Sequence, residues 1–347
     1  MRAVLLRRGS WSRLARLSAM LVILAGTACT RPAAGASPGG KSTRCDKVLP
    51  PIASGYGADG SYGMESVSVR NPAFRRKSVT VFFPQDAPGR RPVIFFSHGY
   101  GPNLWEGYRD LIRHTVSRGY ILVYSTYPVL FSSIDGRYDA LWGGFQAAVD
   151  RFGSRMDLSR VGFLGHSFGG GATPAMAFRG LVQDGWGANG AFMMELAPWY
   201  VFQMTADRWR RLPDDVLQMV EVYDRDHTND HRMAIHIFQD SRMQRKYFLI
   251  VRSTDVDGCT IVADHSTPGR SRFLEQKQYA VFRPLDALAE CAFAGSADAC
   301  RTLASLGRNH DHPGYHPLTA TSDPTPDKPE SYYRWPWSNE KNPAASR

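Results

Sequence analysis

Short runs of β-branched and aromatic residues alternate with amphipathic segments through most of the chain. Seven runs predict strands over residues 78–83, 92–97, 120–125, 160–165, 191–196, 216–223 and 246–252. Several of these runs are continuously apolar, which is typical of parallel strands covered by helices on both faces. The segments between and after them predict helices over residues 105–117, 135–151, 168–179, 229–239 and 273–292. The pattern therefore predicts an α/β fold with a mostly parallel central sheet.

The two ends of the chain lack this pattern. Residues 310–347 contain seven prolines and little periodicity, which predicts a loosely attached tail.

No run of eighteen apolar residues occurs, so we expect no helix that spans a membrane. Within the last predicted helix, Pro284 is expected to produce a kink or a break. The simplest organisation is one α/β domain over residues 51–309 followed by the tail.

The formal net charge of +10 is concentrated at the N-terminus. Residues 1–45 carry eight Lys or Arg and no acidic residue, and subtracting these eight charges leaves +2 for residues 46–347. The predicted domain is therefore not strongly basic, and we expect no nucleic-acid partner. Five arginines, a short apolar run and three small residues predict a cleaved export signal over residues 1–28. The Ala-, Pro-, Gly- and Ser-rich stretch that follows predicts a flexible linker over residues 29–50.

Cys29 directly follows the small residues 26–28. This arrangement resembles bacterial lipoproteins, in which such a cysteine is lipid-modified, and it implies a lipid anchor to a bacterial membrane. Gly26 stands where the lipoprotein pattern usually has Leu, so ordinary cleavage after Ala28 or Ala36 is the alternative. Either route predicts an exported protein that is periplasmic, held at the cell envelope or secreted.

The four remaining cysteines form an even set, which suits disulfides in an oxidising compartment. Cys291 and Cys300 bracket a short loop and are expected to pair, which leaves Cys45 for Cys259. Four cysteines allow three connectivities, and four reduced thiols are a further alternative.

The segment Gly165-His166-Ser167-Phe168-Gly169 satisfies the pattern G-x-S-x-G. It lies between a predicted strand and a predicted helix, which is the context that this pattern needs. A serine on such a sharp turn has a strained backbone, so larger flanking side chains would collide. We predict that Ser167 is a nucleophile; the alternative is a glycine-rich turn without a catalytic role.

A serine hydroxyl becomes reactive when a histidine takes its proton and a carboxylate orients that histidine. In this kind of fold the acid and the histidine follow the serine, each just beyond the end of a later strand. Asp226 follows the strand predicted at 216–223, and His265 lies in the loop after the strand predicted at 246–252. Asp224 is the alternative acid, since side chains two residues apart point the same way along a strand.

The tetrahedral intermediate also needs hydrogen-bond donors for its negatively charged oxygen. One expected donor is the backbone N–H of Phe168, directly after the nucleophile. The second is expected in residues 97–101, here named the oxyanion loop, where we favour the N–H of Tyr100 over that of Gly101. His98 is expected to hold this loop in place. The alternative is a glycine turn without a catalytic role.

The other histidines are expected to have structural roles. Three follow the predicted acid and are expected at the surface or in packing: His227, His231 and His236. A second group lies in the predicted tail without a rigid framework: His310, His312 and His316, with Asp311. We therefore predict no metal site.

Together these segments resemble the α/β-hydrolase superfamily, and within it the cutinase-like polyester hydrolases and the chlorophyllase-like and platelet-activating-factor acetylhydrolase-like esterases. The resemblance extends from about residue 81 to about residue 306. It rests on five segments. They are the oxyanion loop (97–101), the strand-to-helix turn of the nucleophile, here named the nucleophile elbow (165–170), a Pro-Trp segment (197–199), the segment of the acid (223–226) and the segment of the histidine (264–266). In the acid segment the family places the acid at the last position, which favours Asp226. The loop 254–265 is longer than the family's, and the chain beyond residue 307 has no counterpart there.

The resemblance implies a serine carboxylic-ester hydrolase that works through an acyl-enzyme and needs no cofactor. Tyr100 and Trp199 are expected to bind the substrate, a small-molecule or polymeric ester. Residues 198–216 are too few for a large cap over the site. We therefore expect an open cleft that accepts bulky apolar esters, with four aromatic walls: Tyr100, Trp105, Phe168 and Trp199. The alternatives are an amidase or peptidase with the same triad and a non-catalytic envelope protein on a hydrolase scaffold.

Overall fold

A computed structural model describes Cys45 and residues 48–101, 104–308 and 315–345. The predicted export signal, Cys29 and most of the predicted linker lie outside the described residues, as do residues 309–314 with two of the tail histidines. Within the described ranges, no helix is both long and apolar enough to cross a membrane.

The described residues form eleven strands. They are β1 (Met64–Arg70), β2 (Ser78–Pro84), β3 (Arg91–Ser97), β4 (Ile121–Ser125), β5 (Met156–His166), β6 (Ala191–Leu196), β7 (Leu217–Tyr223), β8 (Lys246–Val251), β9 (Thr254–Val256), β10 (Cys259–Ile261) and β11 (Leu318–Thr321). Strands β9 and β10 form a separate antiparallel hairpin, and the other nine form one sheet in the order β1-β2-β4-β3-β5-β6-β7-β8-β11.

The centre of this sheet is parallel, from β4 through β3, β5, β6 and β7 to β8. Strands β1, β2 and β11 are antiparallel to their neighbours and lie at the two edges. The α/β fold with a mostly parallel sheet is therefore confirmed. Because parallel strands share one carboxyl edge, the loops after β3, β5, β7 and β8 all leave the sheet on the same side.

Nine α-helices are described. They are α1 (Arg109–Ser117), α2 (Ile134–Phe152), α3 (Phe168–Ala177), α4 (Ala206–Arg211), α5 (His231–Asp240), α6 (Thr267–Arg270), α7 (Leu274–Lys277), α8 (Arg283–Ala294) and α9 (Ala297–Ser305). The core on one face of the sheet contains residues of α2, α3, α4 and α5, and the core on the other face contains residues of α1, α8 and α9. The sheet is thus covered on both sides, as its apolar central strands require.

The predicted break near Pro284 is present. A π-helical turn, Gln278–Phe282, separates α7 from α8, and Pro284 lies in the first turn of α8. Phe282 has a helical backbone, so the π-helical turn continues directly into α8, and Pro284 coincides with this irregularity.

Both expected disulfides are present, between Cys45 and Cys259 and between Cys291 and Cys300. The disulfide between Cys45 and Cys259 joins the start of the described chain to the β9–β10 hairpin. Leu49, which follows Cys45 closely in the sequence, is buried. The prediction of a flexible linker was therefore wrong at its end, because these residues belong to the folded unit. Disulfides are typical of proteins in oxidising compartments.

The prediction of a loosely attached tail was wrong. Residues 315–345, here named the C-terminal segment, contribute strand β11, which pairs with β8 from Leu318 opposite Val251 to Thr321 opposite Phe248. Tyr315, at the start of the segment, is fully buried. The prolines interrupt regular structure without preventing a strand at the sheet edge, where proline-rich chain is tolerated.

Candidate active site

Ser167 lies at the sharp turn between β5 and α3. Its φ of 56° and ψ of −120° are values that residues other than glycine rarely adopt. The glycines around it permit close backbone contacts: a Cβ added at Gly169 would lie 1.9 Å from the carbonyl oxygen of Ser97. One added at Gly165 would lie 2.2 Å from the carbonyl oxygen of Gly169. The G-x-S-x-G pattern thus reflects the packing of the first turn of α3 against the end of β3.

The structure brings the three predicted triad residues together at the carboxyl edge of the sheet. His265 Nε2 lies 2.9 Å from Ser167 Oγ, and His265 Nδ1 lies 2.7 Å from Asp226 Oδ2. A carboxylate only accepts hydrogen bonds, so Nδ1 carries the proton and Nε2 accepts from the serine hydroxyl. This is the tautomer that a general base for Ser167 requires.

The two candidate acids have different partners. Asp226 is 1% exposed, and its second oxygen accepts N–H groups from Thr228 at 2.6 Å and Asn229 at 3.2 Å. Asp224 instead accepts from the N–H and hydroxyl of Ser253 at 3.0 and 2.6 Å. Asp226 therefore orients His265, whereas Asp224 holds the chain just after β8.

Asn229 is a site residue that the sequence reasoning missed. Its side chain is 3% exposed, donates to the carbonyl oxygen of Ala197 at 2.9 Å and lies 3.5 Å from Ser167 Oγ. The asparagine thus connects the loop of the acid to the nucleophile. In the sequence, Asn229 is marked only by its position three residues after Asp226. No motif in the chain sets that position apart from its neighbours.

The oxyanion loop runs beside the nucleophile. A Cβ added at Gly99 would lie 3.3 Å from the Cβ of Ser167. Within the described ranges, the backbone N–H of Tyr100 makes no hydrogen bond. The N–H of Phe168 belongs to the first residue of α3 and has no acceptor within the helix. Both predicted donors are therefore available to a negatively charged oxygen.

His98 holds the oxyanion loop, as expected from the sequence. Its ring is stacked against Tyr127, with centroids 4.4 Å apart, and against Tyr124, with centroids 5.2 Å apart. Burial lowers the pKa of His98 to about 4, so the ring is neutral. Its Nδ1–H donates to the carbonyl oxygen of Gly99 at 2.7 Å, which fixes the peptide that precedes Tyr100.

Three hydrogen bonds connect the oxyanion loop to His265. The Gly99 N–H donates to Tyr108 Oη at 3.0 Å, and that oxygen lies 2.7 Å from His166 Nδ1. His166 Nε2 lies 2.9 Å from the carbonyl oxygen of His265, which can only accept, so Nε2 carries the proton. Nδ1 is therefore an acceptor, and the tyrosine hydroxyl donates to it.

Both rings of this connection are buried and neutral. Burial, followed by the proximity of the titratable His265 ring, holds the pKa of His166 well below its usual value. Burial also raises the pKa of Tyr108 to about 12. Because neither ring gains or loses a proton near neutral pH, the hydrogen bonds keep one direction. Tyr108 and His166 are therefore positioning residues, and the sequence reasoning missed both roles.

Replacing Tyr108 by phenylalanine is expected to lower kcat about 10- to 100-fold with little change in KM, because the oxyanion loop and His265 lose their connection. The measurement is steady-state ester hydrolysis with the melting temperature as a check on folding. Tyr56→Phe is the matched control, since its hydroxyl donates to Glu290 outside this connection. Equal kcat values for the two variants would contradict the positioning role.

A cavity of about 190 Å³ lies beside the triad. It is lined by Gly99, Tyr100, Gly101, Leu104, Gly107, Tyr108, His166, Ser167, His265, Ser266, Gly269 and Arg270. Tyr100 is 55% exposed at its rim, as the predicted substrate-binding role requires. Its hydroxyl donates to the carbonyl oxygen of Val129 at 2.5 Å, and the guanidinium of Arg137 lies over its ring.

The three other predicted aromatic walls do not line this cavity. Trp105 packs edge-on against Phe82, with ring centroids 5.1 Å apart. Phe168 is 2% exposed, because the first turn of α3 directs its side chain into the core. Trp199 packs against Phe168 and against Trp335 of the C-terminal segment. Of the four aromatic residues predicted to wall the cleft, Tyr100 is the one that lines the described cavity.

The C-terminal segment also holds the loop of the predicted acid, residues 226–230. Trp335 forms a parallel bridge with Asn229, in which its N–H donates to Thr228 O at 2.9 Å and its carbonyl accepts from Asp230 N–H at 3.1 Å. The hydroxyl of Tyr200 donates to the carbonyl oxygen of Pro336 at 2.5 Å. The segment thus contacts the loop that carries Asp226 through the backbone of Thr228 and Asp230.

A chain that ends at Pro329 is expected to lose about 10- to 100-fold in kcat, because the unsupported loop no longer holds Asp226 in place. The measurement compares its kcat with that of a chain ending at Ala345, which keeps the bridge at Trp335. A kcat equal to that of the control, in a variant that is still folded, would show that the segment does not position the acid.

The three histidines beside this loop contact protein groups, as expected. His227 stacks on Tyr332, and His236 pairs with Asp240. His231 Nε2 donates to the carbonyl oxygen of Tyr223 at 3.0 Å. Among the described residues, no group of three His, Cys, Asp or Glu side chains is placed to hold a metal.

The site thus combines a hydrogen-bonded serine, histidine and carboxylate with two backbone N–H groups that have no acceptor among the described residues. Such an arrangement can raise the nucleophilicity of a hydroxyl and stabilise a negatively charged oxygen next to it. The chain matches no family model, and no curated protein matches it.

Proposed function

We propose that this protein is an exported serine hydrolase that cleaves carboxylic esters. One observation carries the proposal: Ser167 has a positive φ at a strand-to-helix turn, and its hydroxyl is hydrogen-bonded to a histidine that a buried carboxylate orients. A strained serine with these partners is the arrangement that covalent acyl transfer requires. The two disulfides support export.

In the proposed mechanism, Ser167 Oγ attacks the ester carbonyl carbon while His265 Nε2 takes the hydroxyl proton. Asp226 stabilises the resulting imidazolium through the Nδ1 hydrogen bond. The N–H groups of Phe168 and Tyr100 bind the negatively charged oxygen of the tetrahedral intermediate. His265 then gives its proton to the departing alcohol, which leaves an acyl group on Ser167.

Deacylation repeats these steps with water. His265 takes a proton from a water molecule whose oxygen attacks the acyl carbon, and the same N–H groups hold the second tetrahedral intermediate. The proton then returns to Ser167 Oγ as the carboxylic acid leaves. The groups that react are side chains and backbone N–H groups of the chain, the ester and one water molecule. The proposed mechanism therefore uses no cofactor.

We further propose that the chain is a member of the α/β-hydrolase superfamily, and that Cys29 carries a lipid anchor. The mostly parallel sheet, with the nucleophile after β5 and the acid and histidine after β7 and β8, supports the first proposal. The sequence around Cys29 supports the second.

The test uses the full-length protein with 4-nitrophenyl esters of increasing acyl length and with the 4-nitroanilides of the same acids. We expect ester hydrolysis that continues to butyrate and longer chains, and a much lower rate on anilides. Comparable rates on anilides would favour the amidase alternative, and strict preference for acetate would contradict the expectation, drawn from the sequence, that the protein accepts bulky apolar esters. Hydrolysis of neither class would favour a non-catalytic envelope protein.

A further inference from the structure

The cavity beside Ser167 contains one permanently charged side chain. Its described lining includes Tyr100 and Leu104 on the apolar side, several glycines, and Arg270 as the only Lys, Arg, Asp or Glu. Arg270 is the last residue of α6, five residues after His265. The cavity therefore has one positive charge in its described lining, at an exposed side chain.

The position of this guanidinium is set by close backbone packing. A Cβ added at Gly269 would lie 2.8 Å from the carbonyl oxygen of Gly107, so α6 lies directly against the short 3-10 turn Trp105–Tyr108. A Cβ added at Gly107 would lie 3.5 Å from Arg270 Nε and 3.7 Å from Nη2. The side chain thus lies across the turn that carries Tyr108, at the wall of the cavity.

The guanidinium of Arg270 makes no hydrogen bond or ion pair within the described ranges. On the elements packed against it, Asp264 accepts from the N–H and hydroxyl of Ser266, and Asp110 is paired with Lys277. Glu106, exposed in the same turn as Gly107, and Glu275 of α7 form no ion pair with Arg270 among the described residues. Asp226 is engaged by His265. Within the described ranges, the guanidinium of Arg270 is thus left without a carboxylate at ion-pair distance.

We propose that Arg270 binds a carboxylate carried by the substrate, so that the preferred esters are anionic ones. Arginine presents paired N–H donors that match the two oxygens of a carboxylate, and a positive group in a cleft also concentrates anionic substrate. The cavity of about 190 Å³ is smaller than a typical drug-sized site, which favours a short chain between the carboxylate and the scissile ester. This inference rests on the proposed ester hydrolysis.

The test compares esters that differ in one charge. The first pair carries it on the acyl side: mono-4-nitrophenyl glutarate and its methyl ester. The second pair carries it on the alcohol side: 4-butanoyloxybenzoic acid and its methyl ester. We expect the wild type to prefer the charged member of at least one pair by about 10- to 100-fold in kcat/KM, the size of a charge-assisted hydrogen bond. Added salt is expected to reduce this preference.

Three substitutions at this position separate charge from packing. Arg270→Gln is expected to remove the preference, Arg270→Glu to reverse it, and Arg270→Lys to retain part of it. Arg272→Gln is the matched control, because that guanidinium lies over the ring of Phe273, 4.5 Å from its centroid. Rates on the neutral methyl esters are expected to change little in Arg272→Gln, and in the Arg270 variants to change much less than the rates on the charged esters.

The outcomes distinguish this inference from the proposed function. Hydrolysis of the neutral esters without a preference in either pair would overturn the inference and leave the proposed function standing. If no ester is hydrolysed, the proposed function fails, and calorimetric titration with monomethyl glutarate tests the anion site separately. Tighter binding to the wild type than to Arg270→Gln would support the site, and equal binding would overturn it.

Discussion

Replacing Ser167 by alanine is expected to lower kcat for esters by about 10⁶-fold, which is the size of effect seen when a triad nucleophile is removed. The reason is geometric: the hydroxyl 2.9 Å from His265 Nε2 is the one that the histidine can deprotonate. Alanine has the same backbone restrictions as serine at a φ of 56°, so we expect nearly unchanged stability. The measurement is kcat by steady-state kinetics together with the melting temperature.

Ser68→Ala is the control for this experiment, since Ser68 is exposed on edge strand β1. Its kcat is expected to equal that of the wild type. A folded Ser167→Ala protein that keeps more than a few per cent of wild-type activity would mean that another group is the nucleophile.

Replacing Asp226 by asparagine is expected to lower kcat by about 10⁴-fold, because the amide no longer stabilises the imidazolium or enforces the productive tautomer of His265. The matched control is Asp224→Asn, two residues earlier on the same loop. That carboxylate accepts hydrogen bonds from Ser253, so its loss is expected to lower the melting temperature and to change kcat only a few-fold.

The comparison of these two variants decides which acid belongs to the triad. The sequence places both after β7 and leaves both open on spacing alone. The structure separates them through the 2.7 Å contact between Asp226 Oδ2 and His265 Nδ1. A larger loss of kcat in Asp224→Asn than in Asp226→Asn would contradict this assignment.

The centre of the sheet could be predicted from the sequence because its strands are covered on both faces. Strands such as β4 and β6 are buried at every position, and continuous burial produces the apolar runs that mark them. The nucleophile elbow could be predicted for a related reason. Close backbone packing requires glycine on both sides of Ser167, and that requirement is visible as a local pattern.

The edge strands could not be predicted in this way. Strand β1 is exposed at five of its seven positions, so its sequence alternates serine with other residues and lacks an apolar run. Strand β11 has four residues within a proline-rich region, and its pairing with β8 depends on contacts far away in the chain. Local patterns carry little information on such long-range pairs.

The supporting residues of the site escaped prediction because their roles arise from tertiary contacts. Tyr108 and His166 are 58 residues apart and meet only when the 3-10 turn before α1 and the end of β5 pack beside the oxyanion loop. Asn229 and Trp335 are likewise brought together by the return of the C-terminal segment. The prediction of aromatic walls at Phe168 and Trp105 was wrong because Phe168 is buried in the core and Trp105 packs, partly buried, against it.

The most direct test of the central claim is covalent labelling of the folded wild-type protein with a fluorophosphonate probe, followed by mass spectrometry of its peptides. The predicted result is close to one label per chain, attached to Ser167, with labelling lost in Ser167→Ala and after unfolding. Absence of labelling in the folded wild type, or a label attached to a different residue, would contradict the claim that Ser167 is an activated nucleophile.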